Sequence, residues 1–173
     1  MAKRVVLAYS GGLDTSVAVR WMIEHLGVEV ICLSADVGQE GTLEGNEEKA
    51  LGAGAIAYEQ LDLREEFGRD YLAPIIKANA LYETKYPLVS ALSRPLIVKH
   101  QVAMARKYGA DALAHGCTGK GNDQVRFELT AYAFAPNLEI IAPWRVWELR
   151  GRSDLLAYAE RHGIEVTATR EKP

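Results

Sequence analysis

Short, nearly unbroken apolar runs alternate along this chain with longer stretches in which apolar positions recur every three or four residues. The first kind reads as buried strand and the second as amphipathic helix. Strands are predicted over residues 4–9, 29–35, 55–62, 112–115 and 138–142. Helices are predicted over 15–26, 43–51, 64–79, 94–108, 124–134 and 154–162. The runs Val5-Val6-Leu7-Ala8 and Val30-Ile31-Cys32-Leu33 have no polar face at all. Such strands are covered on both sides, as in a parallel sheet. Residues 80–92 carry no assignable pattern, and a loop of that length often carries function.

Boundary residues sharpen this outline. Gly27 and Gly109 follow helices where a left-handed cap is needed. Ser93 precedes Arg94-Pro95, predicting a hydroxyl cap with proline in the first turn. Ser153 is placed to cap the last helix, with His162 in its final turn and Gly163 beyond. Right-handed crossovers would wind these units into an α/β fold, an open doubly wound parallel sheet of about five strands with helices on both faces. Ligands in such a Rossmann-like sheet bind beyond the carboxyl ends of the strands.

Composition narrows the function classes. The 173 residues, 49% hydrophobic and 25% charged, suit one globular domain rather than a disordered chain. A net charge of −3 disfavours a nucleic-acid partner. Cys32 and Cys117 are far apart and form no CxxC pair, which argues against a disulfide framework or a zinc site. A strand candidate that starts at residue 4 leaves no room for a signal peptide, and no apolar run is long enough for a membrane span. The expectation is a cytoplasmic domain with no membrane partner.

The turn after the first strand carries the first chemistry. In Tyr9-Ser10-Gly11-Gly12-Leu13-Asp14-Thr15-Ser16, two glycines let backbone N–H groups approach a ligand closely, and three hydroxyls add donors. A helix dipole begins at the same place, which completes a phosphate cradle. The turn lacks the Gly-Lys-Ser/Thr of a Walker loop and the G-x-G-x-x-G of dinucleotide folds. A plain glycine turn with Asp14 as helix cap is the simpler alternative. Ser-Gly-Gly-x-Asp-Ser/Thr resembles the pyrophosphate loop of the N-type ATP pyrophosphatases, which cleave ATP between its α and β phosphates. That group includes GMP synthetases, asparagine synthetases and tRNA-thiolating enzymes. A thiolating relative would carry a sulfur-handling cysteine pair and a basic RNA surface, neither of which is visible here.

A second polar bend follows the fourth strand, running from His115 through Gly116, Cys117, Thr118, Gly119, Lys120, Gly121, Asn122, Asp123, Gln124, Val125 and Arg126 to Phe127 and Glu128. Donors and acceptors of both charge signs crowd around its glycines. Asn122 and Asp123 suit a ligand bearing an amine and a carboxylate, Arg126 suits a carboxylate, and Lys120 could reach phosphates. The ligand described is an amino acid beside a nucleotide. A solvated charged turn is the alternative.

This bend is similar to the signature of the argininosuccinate synthases. So are Ala8 through Ser16, Ala35-Asp36-Val37-Gly38-Gln39, Ala80-Leu81-Tyr82-Glu83 with Tyr86, and Ile141-Ala142-Pro143-Trp144-Arg145. The resemblance covers essentially the whole chain and implies an adenine-nucleotide α-hydrolase-like fold. It implies an enzyme, an AMP-forming ligase of arginine biosynthesis that joins citrulline to aspartate through citrullyl-AMP, with ATP as substrate and Mg²⁺ as cofactor. Matched by position, Ala8, Tyr9, Ser10, Gly11, Gly12, Leu13, Asp14, Thr15, Ser16, Ala35 and Gly116 would bind ATP. Thr118, Asn122 and Asp123 would hold aspartate, while Tyr86, Asn122 and Arg126 would hold citrulline. Asp14 is a possible metal ligand, and Asp36 stands where an acid often meets a ribose. The family's citrulline-contacting serine five residues after the tyrosine is Ala91 here, near Ser90 and Ser93, and its usual alanine is Cys117. The resemblance implies that residues 1–173 form a single ATP-binding domain and that a second domain, which builds a homotetramer, is absent. The alternative is an ATP-binding module that works with a separate catalytic chain. His115 reads as a satisfied buried imidazole and Trp144 with Trp147 as a packing corner. Glu44, Glu47, Glu48 and Lys49 read as a solvated face.

Overall fold

A computed structural model describes residues 3–41, 43–119 and 121–165. The first half runs β1 (Arg4–Ala8), α1 (Leu13–Leu26), β2 (Glu29–Asp36), α2 (Asn46–Gly52) and β3 (Ala57–Asp62). A helical segment follows as α3 (Arg64–Glu66), a π-helical turn (Phe67–Leu72) and α4 (Ala73–Lys77). Then come the short strands β4 (Leu81–Tyr82) and β5 (Tyr86–Pro87), and the long helix α5 (Val89–Tyr108). The chain continues with β6 (Ala112–His115), α6 (Asn122–Phe134), β7 (Glu139–Ile141), α7 (Pro143–Val146) and α8 (Arg152–Arg161).

The main sheet has the order β3-β2-β1-β6-β7, and all its pairings are parallel. Alternate residues of each strand enter different cores. Val5, Leu7, Val30, Cys32, Ala112 and Ala114 pack on one face with Val17, Trp21 and Met22 of α1 and Leu155 and Tyr158 of α8. Val6, Ile31, Leu33 and Leu113 pack on the other with Val98, Val102 and Met104 of α5 and Phe127 and Ala131 of α6. That two-sided burial explains the unbroken apolar runs, since each fully buried aliphatic side chain stabilises the fold by about 1.5–3 kcal/mol. The expected doubly wound sheet is therefore present, with five strands.

Strand order reverses at β1, whose neighbours are β2 on one side and β6 on the other. The connections leaving β1 and β6 diverge to opposite faces, and a crevice opens beyond their carboxyl ends. On the α5 face, Gln101 is 1% exposed and its side-chain amide donates to the carbonyls of Val6 (2.7 Å) and Ala114 (2.8 Å). One buried amide thus joins α5 to both strands that bound the crevice.

Several boundaries differ from the sequence reading. Gly27 and Gly109 are left-handed caps as expected. α5, however, starts at Val89 and contains Pro95, so Ser93 is not a cap; its hydroxyl donates back to the Ser90 carbonyl at 2.8 Å. Pro95 stands in the second turn, where it removes the bond to the Ala91 carbonyl and crowds that carbonyl with its ring, so the helix continues at a local cost. α8 begins at Arg152 after Gly151, placing Ser153 inside the first turn, while Asp154 accepts from the Arg150 N–H at 2.9 Å. α2 starts at Asn46, three residues later than predicted, because Gly45 turns left-handed before it. The unassigned stretch holds the antiparallel β4–β5 hairpin and the first turn of α5.

Candidate functional site

The turn leaving β1 is braced by its own side chains. The Tyr9 N–H donates to the Leu33 carbonyl at 2.8 Å, and the Ser34 hydroxyl donates to the Tyr9 carbonyl at 2.9 Å. The Tyr9 hydroxyl meets Ser16 Oγ at 2.8 Å in the core, and burial pushes the phenol up to about 12. Thr15 Oγ1 donates to the Gly12 carbonyl (3.2 Å) and meets Ser10 Oγ (3.1 Å). Gly11 turns at φ +75°, and a Cβ there would fall 1.9 Å from Asn46 Oδ1. The backbone at this point has no space for a side chain.

α1 opens after Gly12 with no side-chain cap, and its first bond runs from the Ser16 N–H to the Gly12 carbonyl at 3.0 Å. The N–H groups of Leu13, Asp14 and Thr15 therefore have no partner within the helix. With the helix dipole behind them they form an anion site. Asp14 is not the cap; it lies in the first turn, where its Oδ1 accepts from Trp144 Nε1 at 3.1 Å. Gly12 takes the capping position because its extended backbone already starts the helix.

The bend after β6 sits against this turn. A Cβ on Gly116 would lie 2.8 Å from Thr15 Cγ2, so the two loops touch where the glycine stands. His115 is 2% exposed; its Nε2 faces Glu128 Oε1 at 3.3 Å, and its Nδ1 accepts from the Cys117 N–H at 3.3 Å. Burial holds its pKa below the usual imidazole value, against the pull of Glu128. Arg145 pairs with Glu128 from the outside. The Cys117 thiol is pushed up to about 11, first by burial and then by Asp123.

A cleft of about 500 Å³ lies between the loops, lined by Ala8, Tyr9, Ser10, Asp14, Thr15, Ala35 and Gly116 among the residues expected at a nucleotide. Gly11 and Gly12, also expected at a nucleotide, belong to the same turn but are not among the residues lining the cleft. Leu13 and Ser16 turn their side chains into the core, which leaves Ser16 with neither N–H nor hydroxyl facing the cleft. Beside the cleft is a recess of about 470 Å³ lined by Cys117, Thr118, Gly121, Asn122, Asp123 and Arg126. It gathers every residue expected to hold aspartate, together with Arg126. Cys117 and Asp123 border both spaces.

Tyr86 lines neither; it is 51% exposed on the β4–β5 hairpin. Asp36 closes a local turn by accepting from the Gly38 N–H at 2.9 Å, and it edges a separate polar recess with Gln39, Gly41 and Arg64. Trp144 and Trp147 form the expected corner, with ring centroids 5.0 Å apart. Glu44, Glu47 and Glu48 are exposed, while Lys49 is half-buried. Lys120 lies outside the described residues. Arg94 was read only as a helix start, yet it reaches Asp123 from α5 with Nη2 at 2.8 Å and Nε at 3.1 Å. Nothing near Arg94 in sequence signals this, because its partner stands twenty-nine positions away.

Residues 4–165 match the family described as Arginosuccinate synthase N-terminal HUP domain. The chain belongs to the argininosuccinate synthase family. It is 56% identical over 171 residues to the argininosuccinate synthase of Syntrophobacter fumaroxidans, covering 99% of this chain and 43% of that protein. The argininosuccinate synthase of Syntrophus aciditrophicus is 57% identical over 173 residues, with 99% and 43% covered. The chain thus spans under half the length of these synthase relatives. Among solved structures, it is similar in fold to the U34-tRNA thiolase NcsA from Methanococcus maripaludis with its [4Fe-4S] cluster. That likeness has a TM-score of 0.58 at 16% identity, over 99% of this chain and 60% of the thiolase.

Proposed function

We propose that this chain is the ATP-binding part of a ligase that joins citrulline to aspartate and splits ATP into AMP and pyrophosphate. One observation carries the reading: the phosphate turn and the amino-acid bend share a wall, so a nucleotide in the cleft would lie directly beside an amino acid in the recess. In this reading the free N–H groups at the start of α1 bind phosphate oxygens, and Ala35 and Gly116 border the rest of the nucleotide. Thr118, Asn122 and Asp123 hold aspartate; Asn122 and Arg126 hold citrulline, with Tyr86 arriving from the hairpin. The ureido oxygen of citrulline attacks the α-phosphate and expels pyrophosphate. The aspartate amine then attacks the activated carbon and releases AMP. Holding these reactants in line accounts for most of the catalysis expected.

The described cleft has three carboxylates, Asp14, Glu40 and Asp123, and one cation, Arg94. A triphosphate there needs further positive charge, and no described group of His, Cys, Asp or Glu residues is built to enclose a metal. That need fits Mg²⁺, which is held mainly by phosphate and water with one or two carboxylates. Asp14 would be its ligand on this chain, and the ion would neutralise charge on the departing pyrophosphate. The proposed substrates are small molecules of the cytoplasm rather than nucleic acid or membrane. Separately, no described helix is long and apolar enough to cross a bilayer. In this reading residues 1–173 act as one domain, and further citrulline contacts and the contacts of a homotetramer would come from a part of a synthase that this chain does not match.

Mixing the chain with Mg²⁺-ATP, citrulline and aspartate tests this. ATP binding is the expected result, and citrulline-dependent pyrophosphate release beside it would show turnover by this chain. ATP binding without release would favour a module that needs a separate catalytic chain, and no ATP binding would refute the reading.

A further inference from the structure

Asp123 is the side chain that stands between cleft and recess, and the way it is held has a direction. Arg94 Nη2 and Nε both donate to Oδ2, at 2.8 and 3.1 Å. Arg126 Nη1 donates to Oδ1 at 3.0 Å. Each carboxylate oxygen accepts about two hydrogen bonds. Oδ2 is therefore filled, and Oδ1 keeps one acceptor position, beside Arg126 and the recess.

The guanidinium that fills Oδ2 is itself anchored. Arg94 Nη1 donates to Ser93 Oγ at 2.9 Å; Ser93 is 2% exposed and donates in turn to the Ser90 carbonyl. All three guanidinium nitrogens are engaged, so the fork cannot rotate without breaking the part-buried bond to Ser93. An ordinary surface ion pair has no such anchor and stabilises little. Arg94 also lines the nucleotide cleft, whereas Arg126 lines the recess.

We infer that Arg94 is a positioning residue that orients the Asp123 carboxylate so that an incoming primary amine is received at Oδ1, on the recess side. The inference rests on the reading of the recess as the aspartate site. Fixing an acceptor before the ligand arrives is what makes a polar contact selective, because a freely turning carboxylate would take a donor from either side. Specificity for the amine then depends on a residue that need not touch it.

The test uses the chain saturated with Mg²⁺ and α,β-methylene-ATP, titrated calorimetrically with L-aspartate and with succinate, the same dicarboxylate without the amine. The wild-type chain should prefer aspartate by about tenfold or more, the ratio expected when one charge-assisted hydrogen bond is made or lost. R94Q should bring that ratio close to one, measured at a nucleotide concentration raised to keep the cleft saturated after the loss of its cation, with succinate affinity falling less than aspartate affinity. S93A should narrow it less, and R94K should recover part of it. A purely structural role would weaken both dicarboxylates together and lower the melting temperature. If wild type prefers aspartate and R94Q keeps the preference, the inference about Arg94 is overturned and the recess reading stands. Should R94Q fail to fold, an S93A chain with an undiminished preference overturns it equally. A wild-type chain that binds the nucleotide but shows no preference overturns the recess reading itself.

Discussion

The turn after β1 and the bend after β6 face each other across one crevice, yet different forces hold them. In the first, three side-chain bonds join residues within a few positions, Ser10 to Thr15, Thr15 to Gly12 and Tyr9 to Ser16, while Ser34 and Trp144 reach in from a distance to Tyr9 and Asp14. Apart from Asp14 these are neutral groups, and Tyr9, Thr15 and Ser16 are buried. In the second, the bracing comes from distant helices and carries charge: Arg94 on Asp123, Arg145 on Glu128, Glu128 on His115. The nucleotide side is thus built to be indifferent to salt and mild acid, whereas the amino-acid side is held by ion pairs that solvent can reach. Local, neutral bracing gives a fixed cradle; remote, charged bracing gives a site whose affinity responds to conditions.

The contrast is sharpest at Gly11. Gly11→Ala places a methyl where Asn46 already stands and forces a left-handed residue. The left-handed backbone costs about 1–2 kcal/mol, and overpacking costs about 1–3 kcal/mol more. Denaturant unfolding should show this loss, and calorimetry should show ATP affinity collapsing. Unchanged values would mean that Asn46 swings aside freely and the turn is not a rigid cradle.

Asp123→Ala should act on the other loop alone. Removing an acceptor of a charge-assisted bond costs about 1.5–3 kcal/mol, or roughly tenfold to a hundredfold in aspartate affinity. Nucleotide affinity should hold within about threefold. A fall in ATP affinity as large as that in aspartate affinity would erase the distinction between the two loops.

A smaller effect is expected from pH. Burial lowers the folded-state pKa of His115, so below the ordinary imidazole value the unfolded chain binds the extra proton more readily. The neutral ring's contribution is complete above about pH 6.5 and declines as pH falls from there towards the folded-state pKa. Melting curves from pH 8 to pH 5 should show this decline, and His115→Gln should flatten it. An equal decline in that variant would assign the acid sensitivity to other groups.

Tyr86→Phe should change least. Its ring is half exposed on a two-residue strand, and stability should move by no more than about 0.5 kcal/mol. A larger loss in the melting curve would show that the hairpin packs against something and that Tyr86 is held as firmly as the two loops.

The same division explains what could be read before the structure. The sheet was legible because runs such as Val5 to Ala8 record burial on both faces, and burial is written residue by residue. The turn after β1 was legible as a tight strand-to-helix connection because its glycines, hydroxyls and helix start lie within one short stretch. Arg94 was not, since its meaning depends on α5 crossing to α6, and Pro95 beside it suggested a helix boundary instead. The sequence left a cap role open for Asp14 as the simpler alternative, because Trp144, which holds it, comes from the far end of the chain. The β4–β5 hairpin was hidden for a different reason: its residues are exposed, so no apolar pattern marks them.

Gln101 ties these regions together. Its amide grips a carbonyl on each strand from which a binding loop springs, and Arg94 lies seven residues earlier on the same helix, about two turns away. Loop spacing and arginine reach are therefore set against a single internal yardstick. Neither strand can slide relative to the helix without stranding a buried amide, which is a costly event. In the proposed reaction, the distance between departing phosphate and arriving amine would consequently be a property of the domain's frame, decided before either ligand enters.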